Sequence, residues 1–265
     1  MNNLRTTFIQ SDLYWEDADA NLAMLEEKIW QISRNTDLII LPEMFNTGFS
    51  MKAEKLAEPM NFKTFRWMNQ MAKQKNAAIC GSYIVKESTN FYNRLYFIDP
   101  DGGFKFYDKR HLFRMGEEHL TYTEGKKRMV YNFRGWKIMP LICYDLRFPV
   151  WAKNRYDQVT DELEYDLLIF VANWPAPRTN VWDTLLNARA MENQCYTIGV
   201  NRTGSDGENI EYNGNSVVYD YKGQALNKVS NQPRIETIEL NLNELNSFRK
   251  KFPVYLDWDQ FEVAN

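Results

Sequence analysis

The chain has 265 residues, with 32 Lys+Arg against 35 Asp+Glu and a net charge of −3. That balance leaves no electrostatic footprint for nucleic acid. A hydrophobic fraction of 44% excludes global disorder, and no apolar run reaches the roughly 20 residues of a membrane helix.

Folding of a chain this long should reduce its accessible area from about 46,000 to about 12,000 Å², enough for a sizeable core without disulfides or metals. The start, MNNLRTTFIQSDLYWEDADAN, lacks a continuous apolar stretch and carries early acids, so it does not read as a signal peptide. Cys80, Cys143 and Cys195 are too few and too scattered for a disulfide framework, and their odd number suits a reducing cytoplasm. His111 and His119 are the only histidines and no C-x-x-C occurs, so no metal site is expected. No repeat, low-complexity tract or linker divides the chain. One domain over 1–265 is expected, with the aromatic segment 252–265 either a strap or an interface arm.

In chain order, 4–9 reads as a strand and 21–33 as an amphipathic helix, with Leu22, Leu25, Ile29 and Ile32 at helical spacing. The apolar run 37–41, stopped by Pro42, fits a buried strand. Residues 62–75 read as a helix, and 77–84 and 94–98 as strands. A D-G-G turn at 101–103 joins the latter to a hairpin partner at 104–107. Further strands are expected at 136–142, 167–172, 196–200, 216–221 and 234–240, and a helix at 179–193. The order β-α-β-α-β followed by hairpins predicts an α/β fold with helices outside one or two sheets. Periodicity does not decide between a single layer and a sandwich.

Three strand ends carry unusual residues: Glu43 in LIILPEMF, Lys109 in FYDKRHLF and Cys143 in LICYDLRFP. Strand ends of α/β proteins are where sites concentrate. Taken singly, each has a plainer reading: a solvated acid, a surface lysine, a small core hydrophobe.

Together and in this order, the three motifs resemble the Glu, Lys and Cys motifs of the nitrilase superfamily of carbon–nitrogen hydrolases. Lys109 follows Glu43 by 66 residues and Cys143 follows Lys109 by 34. The stretch ANWPAPRTNVWDTLLNARAMENQCYTIGVNRTG is similar to the omega-amidase branch, which hydrolyses the terminal amide of 2-oxo acid amides. The resemblance implies a four-layer α-β-β-α sandwich, a homodimer, a small-molecule amide substrate and no cofactor.

It also implies roles. Cys143 is the expected nucleophile, Glu43 the general base, and Lys109 the electrostatic partner of the tetrahedral intermediate, with the Tyr144 N–H as second oxyanion donor. A second glutamate lies between the Lys and Cys motifs. Glu118, seven residues before Gly125, is the choice, with Glu117 and Glu124 as competitors. His111 is expected to be structural, His119 a surface residue, and Cys80 and Cys195 core. A substrate carboxylate calls for a cation with bidentate geometry. Arg147 either supplies it or pairs with Asp145 or a helix end; Arg178 and Arg202 are weaker candidates. Phe45, Phe113 and Trp174 are expected as pocket walls, and Asn173 as a hydrogen-bonding neighbour of the nucleophile. Competing readings are a simple aliphatic amidase, a carbamoylase, a nitrilase, a non-catalytic interaction protein and a metallohydrolase.

Overall fold

The computed structural model describes residues 3–33 and 35–263. Two sheets face each other. The first has the strand order Arg234–Asn241, Asn3–Gln10, Leu38–Ile40, Ala78–Glu87, Asn90–Ile98 and Phe104–Asp108, with Glu58–Pro59 pairing beside Ala78–Glu87. The second runs Val217–Tyr219, Tyr196–Asn201, Leu167–Ala172, Trp136–Ile142 and Tyr131–Phe133. In each, three central strands are parallel and the flanking partners antiparallel.

Alternation along the strands separates the layers. Leu38, Ile40, Ala78 and Cys80 point into the core between the sheets, while Ile39, Leu41 and Ile79 point to an outer layer. That layer is the helix pair Ala18–Trp30 and Lys63–Lys75, which contributes Leu22, Leu25, Ile29, Met68 and Met71. Phe97 of the first sheet stacks on Tyr131 of the second at 4.5 Å, a pairing worth about 0.5–1.5 kcal/mol beyond the area it buries. Leu167–Ala172 is buried along its whole length because both its faces are covered, the reason it reads as an unbroken apolar run. Helix Thr179–Glu192 covers the outer face of the second sheet through Trp182 and Leu186. Gly199 allows that approach, since a Cβ there would lie 2.3 Å from Leu186 Cδ1. Helix, sheet, sheet and helix form the α-β-β-α sandwich, with a surface of 12201 Å².

The first helix starts earlier than periodicity predicts, because the Asp17 carboxylate accepts from the Ala20 N–H and caps it. Strand Asn90–Ile98 likewise begins four residues before the expected 94, paired in register with Ala78–Glu87. Four helices lie outside the expected elements, two of them the single turns Ala53–Leu56 and Pro149–Ala152. Glu118–Thr121 is one turn long, too short for a periodic signal. Leu242–Lys251 is capped by Asn241 and sits directly after a strand. Beyond it, Tyr255 packs on Tyr156 at 4.9 Å and Trp258 lies under Lys153 Nζ at 3.3 Å, while Phe252 and Leu256 stay exposed. Residues 264 and 265 of the expected arm lie outside the described residues.

Candidate active site

The three strand ends meet at one rim of the sandwich. Glu43 follows Leu38–Ile40 in a loop held on two sides: the Met44 N–H donates to Ser82 Oγ at 2.9 Å, and Asn21 Nδ2 donates to the Asn46 carbonyl at 2.9 Å. Lys109 follows Phe104–Asp108, where its N–H donates to the Asn93 carbonyl and its own carbonyl accepts from the Gly125 N–H. Gly125 must be glycine, since a Cβ there would lie 2.0 Å from the Asp108 carbonyl oxygen. Cys143 ends Trp136–Ile142 at a left-handed φ of 44°, a turn into the 3-10 segment Cys143–Arg147. A non-glycine residue in that conformation carries strain, and such strain clusters at functional sites.

Lys109 Nζ sits between two carboxylates, all three groups buried. It donates to Glu43 Oε1 at 2.8 Å and to both oxygens of Glu118 at 3.0 and 2.9 Å. Glu43 Oε2 accepts from the Asn173 N–H at 2.8 Å, and Glu118 Oε2 from the Phe113 N–H at 2.6 Å. Burial pulls the lysine's pKa down, but Glu118 and Glu43 outweigh it and hold the ammonium charged. Burial pushes Glu118 up, Lys109 opposes this and Glu43 adds to it; the net direction is upward. The Cys143 thiol is pushed well up by burial and by the Glu43 charge, with Lys109 opposing. Burial thus favours the neutral form of the thiol. Its Sγ lies 3.9 Å from the Asn173 carbonyl.

The Lys and Cys motifs are laced together by Asp145. Its Oδ2 accepts from Tyr107 Oη at 2.8 Å and the Ile142 N–H at 3.1 Å; its Oδ1 meets the His111 N–H at 3.0 Å and His111 Nδ1 at 2.7 Å. His111 also stacks on Phe148 at 3.7 Å, which makes it a brace for the cysteine turn. Tyr144 is the second residue of the 3-10 segment, where the first N–H groups lack partners within the turn.

A cavity of about 570 Å³ opens over this cluster, lined by Lys109, Cys143, Tyr144, Phe113, Asn173, Trp174, Arg147 and Arg178 among others. Arg147 does not pair with Asp145, whose oxygens are already taken; its guanidinium lies 5.1 Å over Trp174. Three expectations need correction. Phe45 does not reach the cavity. The left-handed φ of 43° at Met44 turns it into the outer-layer core, where it meets Trp67 at 5.9 Å and Tyr83 at 6.2 Å and fills space left by Gly81. Arg202 is buried elsewhere, on Asp12 and the Leu13 and Ser205 carbonyls. Glu117 is exposed and Glu124 pairs with Arg110 at the surface, so of the three acids Glu118 alone joins the cluster. His119 is half-buried rather than a surface residue. Cys80 and Cys195 are buried in the core.

Sequence reading missed Asn93, whose Nδ2 donates to Glu43 Oε1 at 2.8 Å and Glu118 Oε1 at 3.3 Å. Asn93 stands on the same strand face as Leu95 and Phe97, a polar residue on an inward parity, but it lies one residue before the strand expected at 94–98. It also missed Phe49, Met115, Ile210 and Tyr212 in the cavity wall.

A buried thiol beside an ammonium and two carboxylates, at the rim of an α-β-β-α sandwich, is the arrangement of a thiol hydrolase. The chain belongs to the carbon–nitrogen hydrolase family, whose model matches residues 5–250. It is 43% identical to omega-amidase YafV of Escherichia coli (strain K12) over 265 residues, 99% of this chain and 100% of that protein. It is 32% identical to 2-oxoglutaramate amidase of Bacillus subtilis (strain 168), over 94% of this chain and 95% of the other. Among solved structures it resembles XC1258 from Xanthomonas campestris, a CN-hydrolase superfamily protein with an arsenic adduct in its active site. The two superpose with a TM-score of 0.97 at 41% identity, covering 100% of both chains.

Proposed function

We propose that the protein is an omega-amidase that hydrolyses 2-oxo acid amides such as 2-oxoglutaramate and 2-oxosuccinamate to the 2-oxo dicarboxylate and ammonia. The observation that carries the reading is the Glu43–Lys109–Glu118 cluster at the Cys143 turn, opening into a cavity whose wall holds arginines. The relatives named above support the substrate class.

A buried thiol needs a base before it can attack, and this sets the order of events. Glu43 takes the Sγ proton as Sγ attacks the amide carbon. The developing oxyanion is met by Lys109 and the Tyr144 N–H, groups already in place before reaction. Glu43 then gives its proton to the amide nitrogen, the C–N bond breaks, and ammonia leaves a thioester on Cys143. Water attacks the thioester with Glu43 again taking the proton. Collapse of the second tetrahedral intermediate releases the acid and restores the thiol. Glu118 holds Lys109 in place throughout, so it acts as a positioning residue. Arg147 meets the substrate carboxylate, and Phe113, Asn173 and Trp174 shape the acyl pocket.

The same reading takes the chain as one catalytic unit working as a cytoplasmic homodimer, with 252–265 as an arm at the subunit interface. The exposed Phe252 and Leu256 support the arm. Ammonia release from 2-oxoglutaramate, compared between wild type and Cys143→Ala, tests the function. Brisk release that vanishes in the variant is expected. A folded wild type inactive on 2-oxo acid amides overturns the substrate class.

A further inference from the structure

Two arginines stand apart from the rest. Among the described residues, the other arginines that are not exposed have a carboxylate or carbonyl partner, as Arg94 has Asp108, Arg202 has Asp12 and Arg249 has Asp166. Arg147 and Arg178 have neither an ion pair nor a hydrogen-bonded acceptor for the guanidinium, and both line the 570 Å³ cavity. What each has is an aromatic shelf: Arg147 lies 5.1 Å over Trp174 and Arg178 5.7 Å over Phe113. Stacking uses the face of a guanidinium and leaves its in-plane N–H donors free.

The shelves are built. Pro175 and Pro177 restrict the backbone before Arg178, its N–H donates to the Pro175 carbonyl at 3.0 Å, and its own carbonyl accepts from Trp174 Nε1 at 2.8 Å. The Phe113 N–H is the donor to Glu118 Oε2, so the shelf under Arg178 is tied to the carboxylate that holds Lys109. Lys109 cannot serve a distant anion, because Glu43 and Glu118 occupy it.

Neither guanidinium is paired with an anion, although Glu211 also lines the cavity, and an arriving ligand with matching acceptors supplies one. The far end of a 2-oxo acid has such acceptors: two carboxylate oxygens and the neighbouring ketone oxygen, which can lie in one plane. One guanidinium fork takes the carboxylate and the other reaches the ketone oxygen. We propose that Arg178 is a second specificity-determining residue, closing with Arg147 on the 2-oxo carboxylate head while the amide end meets Cys143. The inference rests on the amidase reading above.

The test compares wild type, Arg178→Met and Arg178→Lys by ammonia release from three amides. These are 2-oxoglutaramate, glutaramate (which lacks the ketone) and uncharged butanamide. In Arg178→Met the kcat/KM preference for 2-oxoglutaramate over butanamide should fall about 10- to 100-fold, mainly through KM. The corresponding fall for glutaramate should be smaller. Arg178→Lys keeps the charge without the fork and should recover part of the loss. It also carries the comparison if Arg178→Met does not fold. A preference equal to that of wild type in the variants overturns the assignment of Arg178 alone. Equal losses for 2-oxoglutaramate and glutaramate overturn the ketone contact. Wild type inactive on 2-oxoglutaramate overturns the amidase reading itself, and the inference with it.

Discussion

Glu118→Gln is the most informative single change in the cluster. Both oxygens of Glu118 receive donors: Oε1 from Lys109 Nζ and Asn93 Nδ2, Oε2 from Lys109 Nζ and the Phe113 N–H. A glutamine amide must set its NH2 against one of these donor pairs, whichever way it turns. The variant therefore loses an ionic contact and leaves at least one buried donor unpaired. Breaking a buried ion pair outright costs about 3–5 kcal/mol. Glu43 still pairs with Lys109, so about 2–4 kcal/mol is expected here, counting about 1.5–3 for each lost charge-assisted bond. Activity should fall further than stability suggests, because the ammonium left to Glu43 alone moves away from the oxyanion position. A loss of one preorganised donor costs about 100- to 1,000-fold in turnover. Urea unfolding and ammonia release measure the two effects. The exposed Glu117→Gln and Glu124→Gln should stay within about 0.5 kcal/mol of wild type. Wild-type stability and turnover in Glu118→Gln would refute the reasoning, as would an equal loss in Glu117→Gln.

Other expectations follow from the same geometry. Asn93→Leu removes the donor shared by Glu43 and Glu118, and turnover should drop at least about tenfold, with part of the loss in stability. Equal turnover would show that the bridge is idle. Gly125→Ala drives a Cβ into the Asp108 carbonyl, so it should cost at least about 1–3 kcal/mol on thermal unfolding and disturb Lys109 through its neighbour bond. Asp37 is buried, which alone would raise its pKa, yet hydrogen bonds from Arg5 and the charge of Arg134 hold it below the usual carboxylate range. A lowered folded pKa gives stability that is full above the ordinary value of about 3.9 and lost as pH falls through the folded one. The stability gap between wild type and Asp37→Asn should accordingly be about 1–2 kcal/mol at neutral pH, since Arg5 is partly exposed, and close in acid. A gap that widens in acid would contradict the sign.

Much of the site was legible because its parts sit where strands end. Pro42 marks the end of Leu38–Ile40 and Cys143 ends an apolar run, but each residue singly reads as unremarkable; the resemblance of the three ordered motifs to one family is what located the cluster. What escaped depends on side-chain direction. Phe45 follows Glu43 by two residues, and only the left-handed turn at Met44 sends it to the other side of the sheet. Asn93 lies just before the strand expected at 94–98, so its inward parity with Leu95 and Phe97 shows only once that strand is extended back to Asn90. Glu118 lies seven residues before Gly125, the spacing the family resemblance implies, and the Gly125 N–H, which donates to the Lys109 carbonyl, sets the loop between them. Arg147 and Arg202 look alike in sequence. Burial among carbonyls and Asp12 separates the structural one from the one that faces the cavity.

Hydrolysis at this site requires the acyl group to pass through a thioester on Cys143. Intact-protein mass spectrometry of wild type mixed with 2-oxoglutaramate and quenched in acid within the first turnover tests this most directly. A mass gain equal to the 2-oxoglutaryl group is expected, mapped to the Cys143 peptide and absent in Cys143→Ala. Ammonia release without any such gain, or a gain mapped to Cys80 or Cys195, would contradict it.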